Sequence, residues 1–346
     1  NTNTSGNIDA TNVTSLASAS ISDIKTLLTA GNNSTNNFAA TSFQSLATVA
    51  VSDTTVSIAD LNDAITQANT ATGGTTTVFS VASGALITTG DEAAFSTLLT
   101  NESNGNIAIT DQNLTVSSGT ISVDNANLLN ATTTGTVTAA IDLTEDVDEL
   151  ATLSGTGAYT IVIASGDATG STAAEFNTIN SATTVAIDAS EVTALASSNL
   201  SDVKTLLTAA NDTDQFTDST GKVSFGGLTA VAIADATVDV SDFNAAVTQA
   251  NTATGKTTAA NGGGATVFTL SNATAFNGGT AADFATLITN EGKSLISGGI
   301  TTQALTVDSG TIAVSAANDL NTTTTGVVTA TITEGDMSTL ASLADK

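Results

Sequence analysis

Ser22-Asp23-Ile24-Lys25-Thr26-Leu27-Leu28-Thr29-Ala30 returns as Ser201-Asp202-Val203-Lys204-Thr205-Leu206-Leu207-Thr208-Ala209, and this doubling decides how the chain is organised. An internal repeat of this length points to an array of supersecondary units and away from a single catalytic pocket. Gln67-Ala68-Asn69-Thr70-Ala71-Thr72-Gly73 recurs in order as Gln249-Ala250-Asn251-Thr252-Ala253-Thr254-Gly255, and Thr120-Ile121-Ser122-Val123 as Thr311-Ile312-Ala313-Val314. The offset is 179 at Ile24/Val203, 182 at Ile65/Val247, 189 at Phe95/Phe284 and 191 at Gly135/Gly326, so the copies differ by small insertions. One of these, residues 258–264, has the Asn-Gly and Gly-Gly composition of a surface loop.

A smaller pattern recurs inside each copy. Thr55-Val56-Ser57-Ile58 alternates as a half-buried strand does, Asp60 stands where an N-cap belongs, and Leu61, Ala64, Ile65 and Ala68 share one helix face. The second copy repeats this with Val238, Val240, Asp242, Phe243, Ala246, Val247 and Ala250. The same plan places a strand at residues 137–141 before a helix bearing Val147, Leu150 and Leu153, and a strand at residues 184–187 before Val192 and Leu195. Strands that alternate with short helices imply parallel pairing through right-handed crossovers.

The expected fold is therefore an α/β repeat: a right-handed solenoid of parallel strands alternating with short helices or loops, in units of roughly 20–30 residues. Residues 1–180 form the first copy and 181–346 the second, in one continuous solenoid. Tandem β-sandwich domains of adhesin type are the alternative, because Thr-rich alternating strands with Gly and Asn turns describe them too. The amphipathic segments around Leu27, Ile65 and Leu150 weigh against that alternative. The copies are also cut out of phase, since the first continues into Tyr159-Thr160-Ile161-Val162-Ile163 where the second stops, so the chain reads as a window of a longer array.

Composition removes whole classes of chemistry. The 346 residues contain no Cys, His, Pro or Trp, and all six cationic residues are Lys. Zinc, copper, haem and iron–sulfur sites lose their usual thiolate and imidazole ligands, and the abundant hydroxyls lack the base that would make them nucleophiles. A formal charge of −27 opposes nucleic acid and anionic membrane surfaces but attracts calcium. No apolar run is long enough to span a bilayer, so membrane insertion is not expected. A hydrophobic content of 40% points to a folded chain.

Carboxylates are the strongest functional groups left. Glu145-Asp146-Val147-Asp148-Glu149 is read as a helix start whose acids complement the macrodipole, with Val147 and Leu150 facing inward. Asp212, Asp214 and Asp218 are the candidate calcium ligands, spaced along one loop without an EF-hand's Gly turn and terminal Glu; the first copy carries Asn there. Thr136-Val137-Thr138 and Thr329-Ala330-Thr331 suit outward strand faces. Phe79 and Phe268 on strands, and Phe95 and Phe284 on helices, are expected in the core, whereas Lys25 and Lys204 are expected to stay exposed.

Thr136-Val137-Thr138-Ala139-Ala140-Ile141-Asp142-Leu143, then Glu149-Leu150-Ala151-Thr152-Leu153, then Gly155-Thr156-Gly157-Ala158-Tyr159-Thr160-Ile161 resemble the Thr/Ala/Asp-rich tandem repeats of very large bacterial surface proteins, notably cyanobacterial ones. The resemblance spans the chain in style and carries over no site residue; the glycine-aspartate nonapeptide common in those proteins is missing. It implies an extracellular or cell-surface setting. The expected function is a non-enzymatic structural segment of a filament, fibre or surface layer that requires no cofactor, with Asp212, Asp214 and Asp218 as the candidate calcium ligands. Its partners are neighbouring repeats or copies of itself. An adhesin or fibre-like module contacting a surface glycan is the alternative.

Overall fold

The computed structural model describes residues 6–33, 38–39, 42–164, 169–217, 225–254 and 265–344; the expected loop at 258–264 and Asp218 lie outside them. The chain divides into two compact bodies. The first comprises Asn1–Glu145, Thr152–Thr160 and Ala182–Thr184, and the second Asp146–Ala151, Ile161–Ser181 and Val185–Lys346.

In the first body the order is β1 (Ser15–Ala19), α1 (Ile21–Gly31), β2 (Thr48–Val51), β3 (Thr55–Ser57), α2 (Ile58–Ala71), β4 (Val78–Val81), β5 (Leu86–Gly90), α3 (Glu92–Ser103), β6 (Ile107–Ala108), β7 (Asn113–Val116), α4 (Val123–Thr132), β8 (Val137–Ala140) and β9 (Ala158–Thr160). Two sheets result, ordered β1-β2-β4-β6 and β3-β5-β7-β8-β9. The second body holds α5 (Val147–Leu150) and α6 (Ala173–Ala182, all but its last residue). It continues with β10 (Ala194–Ser198), α7 (Leu200–Ala209), β11 (Ala230–Ile233), β12 (Thr237–Asp239), α8 (Val240–Ala253), β13 (Val267–Thr269), β14 (Ala275–Gly279), α9 (Ala281–Gly292), β15 (Ile296–Ser297), β16 (Ala304–Val307), α10 (Val314–Thr323), β17 (Val328–Thr329) and α11 (Met337–Leu340). Its sheets run β10-β11-β13-β15 and β12-β14-β16-β17.

Every ladder between these strands is parallel, which removes the antiparallel β-sandwich alternative. The thirteen elements from β1 to α5, leaving out β9, recur in the same order from β10 to α11 without α6. One strand stands opposite the next after 20 residues at the shortest, Ala140 to Thr160, and after 38 at the longest, Thr237 to Ala275. The repeating module is thus longer than the expected unit in places where loops intervene.

Register explains the core. Val56, Ile87, Leu114 and Val137 lie side by side across four strands, and all are fully buried. Their counterparts Val238, Phe276, Leu305 and Val328 line up in the second body. Because side chains alternate between strand faces, a shift of one residue would turn such a row to the opposite face. Each fully buried Val, Ile or Leu in a row stabilises by about 1.5–3 kcal/mol. The helices close over these rows: α2 buries Ile58, Leu61, Ala64, Ile65 and Ala68, and packs against α1. Phe79, Phe268, Phe95 and Phe284 are all buried as expected.

Two expectations are corrected. The cap of α2 is Ser57, whose hydroxyl accepts from the amide of Asp60 at 3.4 Å, so the helix starts one turn earlier than the apolar spacing indicated. Leu195 lies in β10, not on a helix, and residues 184–187 contribute one isolated bridge, from Ile187 to Phe216.

Buried hydroxyls tie one module to the next where the core cannot. Thr77 Oγ1 donates to the Leu46 carbonyl and Thr266 Oγ1 to that of Leu228, both at 2.9 Å and both fully buried. Thr133 and Thr324 donate likewise to Gln112 and Gln303, at 2.6 Å each, and accept from the amides of Gly135 and Gly326. Those glycines are matched for a steric reason: a Cβ at either would run into the neighbouring glutamine's carbonyl.

Candidate functional site

The polar side chains of both bodies converge on the junctions between successive modules. Asn62 on α2 donates through Nδ2 to the carbonyl of Ala94 on α3 at 2.9 Å, and Asn101 on α3 donates back to Asn62 Oδ1 at 3.1 Å. Asn244 and Asn290 repeat this on α8 and α9, with Asn244 Nδ2 2.8 Å from the Asp283 carbonyl and Asn290 Nδ2 3.2 Å from Asn244 Oδ1. Asn32 reaches the Gln67 carbonyl and Asn211 that of Gln249; Asn127 reaches Thr152 and Asn318 reaches Ser342. An amide suits this position because it donates to a backbone carbonyl, which has two lone pairs, while its own oxygen still accepts from the next amide.

The carboxylates serve the same junctions at helix N-termini. Asp53 accepts from the first amide of α1, Ile21 N, at 2.6 Å, and Asp235 from that of α7, Leu200 N, at 2.7 Å. Glu145 accepts from Val123 N of α4 at 3.1 Å, and Glu334 from Val314 N of α10 at 3.1 Å. Each acid comes from the following module and sits on the positive end of the preceding helix, where orphan amides and the macrodipole favour an anion. Glu92 works in the opposite direction: its Oε1 accepts from Asn125 Nδ2, Ser122 N and Ser122 Oγ at 2.7, 2.9 and 2.7 Å. The Asn125 amide, followed by the Ser122 amide and hydroxyl, holds its carboxyl below the usual glutamate range.

Lys25 and Lys204 are not free surface charges. Lys25 Nζ on α1 pairs with Asp60 on α2, with Asp63 3.8 Å away, and Lys204 on α7 pairs with Asp242 on α8. Asp60 thus stands at the third helical position and receives a cation from the adjacent helix. The Asp60 hydrogen bond raises the Lys25 pKa.

Glu145 through Glu149 behaves as a helix start. Asp146 caps α5 in a capping box with Glu149, at 2.8 and 3.2 Å, while Val147 and Leu150 are buried. Asp148 is exposed beside Glu175; their shared hydrogen bond and mutual repulsion raise its pKa.

Asp212 and Asp214 lie exposed in the turn after α7. Asp212 organises that turn: its carboxylate accepts from Asp214 N and Gln215 Nε2, both at 3.0 Å, and its pKa is lowered by the Gln215 side chain first and the Asp214 amide second. Its carbonyl receives the amide of Phe216 at 2.9 Å, delivering that ring to the core against Phe225 at 5.2 Å between centroids. Asp218, the third expected ligand, lies outside the described residues, so the calcium set is seen only in part. Among the described residues no three acids come together as a metal-holding group.

A groove of about 560 Å³ lies between α6 and α7, lined by Asn177, Asn180, Lys204, Thr208, Gln215 and Asp242 among others. Its amides are partly engaged, Asn180 with Gln215 at 2.8 Å and Asn177 with the Asp202 carbonyl at 3.0 Å. Among the described residues no helix is long and apolar enough to cross a membrane. The junction residues were missed in the sequence, although Asp53/Asp235, Asn62/Asn244, Asn101/Asn290 and Asn127/Asn318 are each preserved between the copies. Comparison with protein-family models, with curated proteins and with solved structures gives no match.

Proposed function

We propose that the chain is a non-enzymatic structural segment whose modules stack as a right-handed solenoid and build an extracellular filament, fibre or surface layer. The observation that carries this reading is the use of asparagine amides, carboxylates and both paired lysines at junctions between modules, in the same places in both copies. Repeat proteins of this kind derive their stability from nearest-neighbour interfaces, which is where these groups lie. The net charge of −27 keeps neighbouring assemblies apart unless divalent cations bridge them. The resemblance to large bacterial surface proteins supports the extracellular setting.

The polar groove between α6 and α7 favours a second reading, an adhesin or fibre-like module that contacts a surface glycan. Electron microscopy of the native material, with and without a calcium chelator, separates the two. Regular filaments or a lattice are expected, and their loss on chelation would assign bridging to the acidic surface. Dispersed flexible rods in both conditions would transfer the reading to the adhesin.

A further inference from the structure

The junction between the third and fourth long helices is built differently in the two copies. In the first, Glu92 on α3 accepts from Ser122, the cap of α4, and from Asn125 on the first turn of α4. All three residues are exchanged together in the second copy, where Ala281, Ala313 and Ala316 stand at their positions. Loss of one partner would leave the others unsatisfied, whereas loss of all three leaves nothing unpaired. The ties of the flanking junctions are kept. Asn244 and Asn290 hold α8 to α9, and Asn318 reaches from α10 to the Ser342 carbonyl.

The exchange shows in the groove between the helices. Between α3 and α4 it measures about 330 Å³, and its α3 wall begins at Ser96, one turn past Glu92. Between α9 and α10 it measures about 390 Å³ and runs up to Ala281 itself, with Ala285, Ile288, Ala316 and Leu320 along its walls. Among the described residues no hydrogen bond or ion pair joins α9 to α10. The helix α10 also lacks the side-chain cap that Ser122 gives α4.

The strands beneath keep their register. β16 meets β17 at Leu305–Val328 and Thr306–Thr329, as β7 meets β8 at Leu114–Val137 and Thr115–Thr138. Thr324 and Thr133 make the same 2.6 Å bond to a glutamine carbonyl. The polar attachment of the α10 module to the α9 module is thus confined to the strand side among the described residues.

We infer that the α9–α10 junction is a joint, at which the helix layer of the second body opens first, hinging on its paired strands, while Glu92 latches the matching junction of the first body. In an array stabilised by nearest-neighbour interfaces, local opening starts at the interface with the fewest ties. Two bodies with the same order of elements therefore differ in compliance, one stiff and one yielding at this place. The joint belongs to a single chain whether or not chains assemble, so its failure and that of the filament reading are distinguishable.

Native-state hydrogen exchange on the 346-residue chain tests this. The amides of Asn318, Asp319 and Leu320 should exchange at least about tenfold faster than those of Asn127, Leu128 and Leu129. The deciding variant is the graft Ala281→Glu, Ala313→Ser and Ala316→Asn, because it restores the latch and leaves the rest of the chain in place. It should slow exchange in α10 by about tenfold and leave α7 and β11 as they were. The reciprocal pair Glu92→Ala and Asn125→Ala should bring α4 to the level of α10 with β7 still protected, and it decides the matter if the graft does not fold. Equal protection of α4 and α10 in the wild type, a folded graft with unchanged α10 exchange, or an unchanged α4 in the reciprocal pair overturns the joint. Protection of α9 and α10 that rises with chain concentration overturns it too, since a second copy would then close the groove.

Discussion

Thr89 and Gly278 occupy the same bulged position of β5 and β14, with φ of 64° and 70°. A β-branched residue in this left-handed region carries strain that glycine avoids. In the first copy the cap of the neighbouring helix is the small Ser57. In the second copy the cap is Asp239, and a Cβ at Gly278 would collide with its carboxylate. Thr89→Gly should therefore raise stability by about 0.5–1 kcal/mol, after the extra freedom glycine gives the unfolded chain. Gly278→Thr should lower stability by more, with partial rescue by Asp239→Ser. Urea unfolding midpoints of the four proteins check this, and a fall in the Thr89→Gly midpoint would refute the strain argument. Neither the bulge nor the collision was legible in the sequence, because both depend on the partner across the strand-to-helix junction. The alignment of Thr89 with a glycine was the one visible sign.

At the scale of the element, the face of each helix was legible and its ends were not. Leu61, Ala64, Ile65 and Ala68 repeat at helical spacing whatever the helix packs on, so α2 and α8 could be placed from apolar residues alone. Ser57 was absorbed into the strand because an N-cap has extended backbone, here φ −70° and ψ 122°, and only its hydroxyl distinguishes it from a last strand residue. The acids from neighbouring modules were harder to assign, since Asp53 lies 32 residues from the helix it caps and such separations vary with every loop. Their role predicts a definite acid response. The folded pKa of Glu92 is depressed below its ordinary value of 4.5, so its contribution is complete above about pH 4.5 and is lost as pH falls through the folded value. Glu92→Ala should cost about 1–2 kcal/mol at pH 7, where three donors to a charged acceptor are lost. The difference from wild type should change little between pH 7 and about 5 and shrink as the pH is lowered to 3, as read from unfolding curves. A difference that stays constant with pH would mean that Glu92 acts through packing and not through its charge.

For the whole molecule the question is how far a fault travels. Ile65 is 1% exposed in α2 and Val247 3% in α8, so each is a matched core position within its own body. An aspartate at either site buries an unpaired charge or forces the helix off its strands, a penalty of several kcal/mol. If modules are stabilised chiefly by their neighbours, that penalty cannot remain within one module, because each adjoining interface loses its partner when the first opens. Hydrogen exchange on Ile65→Asp should accordingly show lost protection in α2 and β3, then in the paired β5 and the adjoining α1, with a weaker loss at β7. Val247→Asp should repeat this in α8, β12, β14 and α7. Loss that stops at the edge of the mutated helix would describe independently folded beads and would remove the ground for a stacked assembly. The spread between bodies decides the remaining issue. Loss of protection in β10 and α7 on mutating Ile65 alone would make residues 1–346 one cooperative solenoid, whereas full protection there beside a disordered first body would make each body its own folding unit.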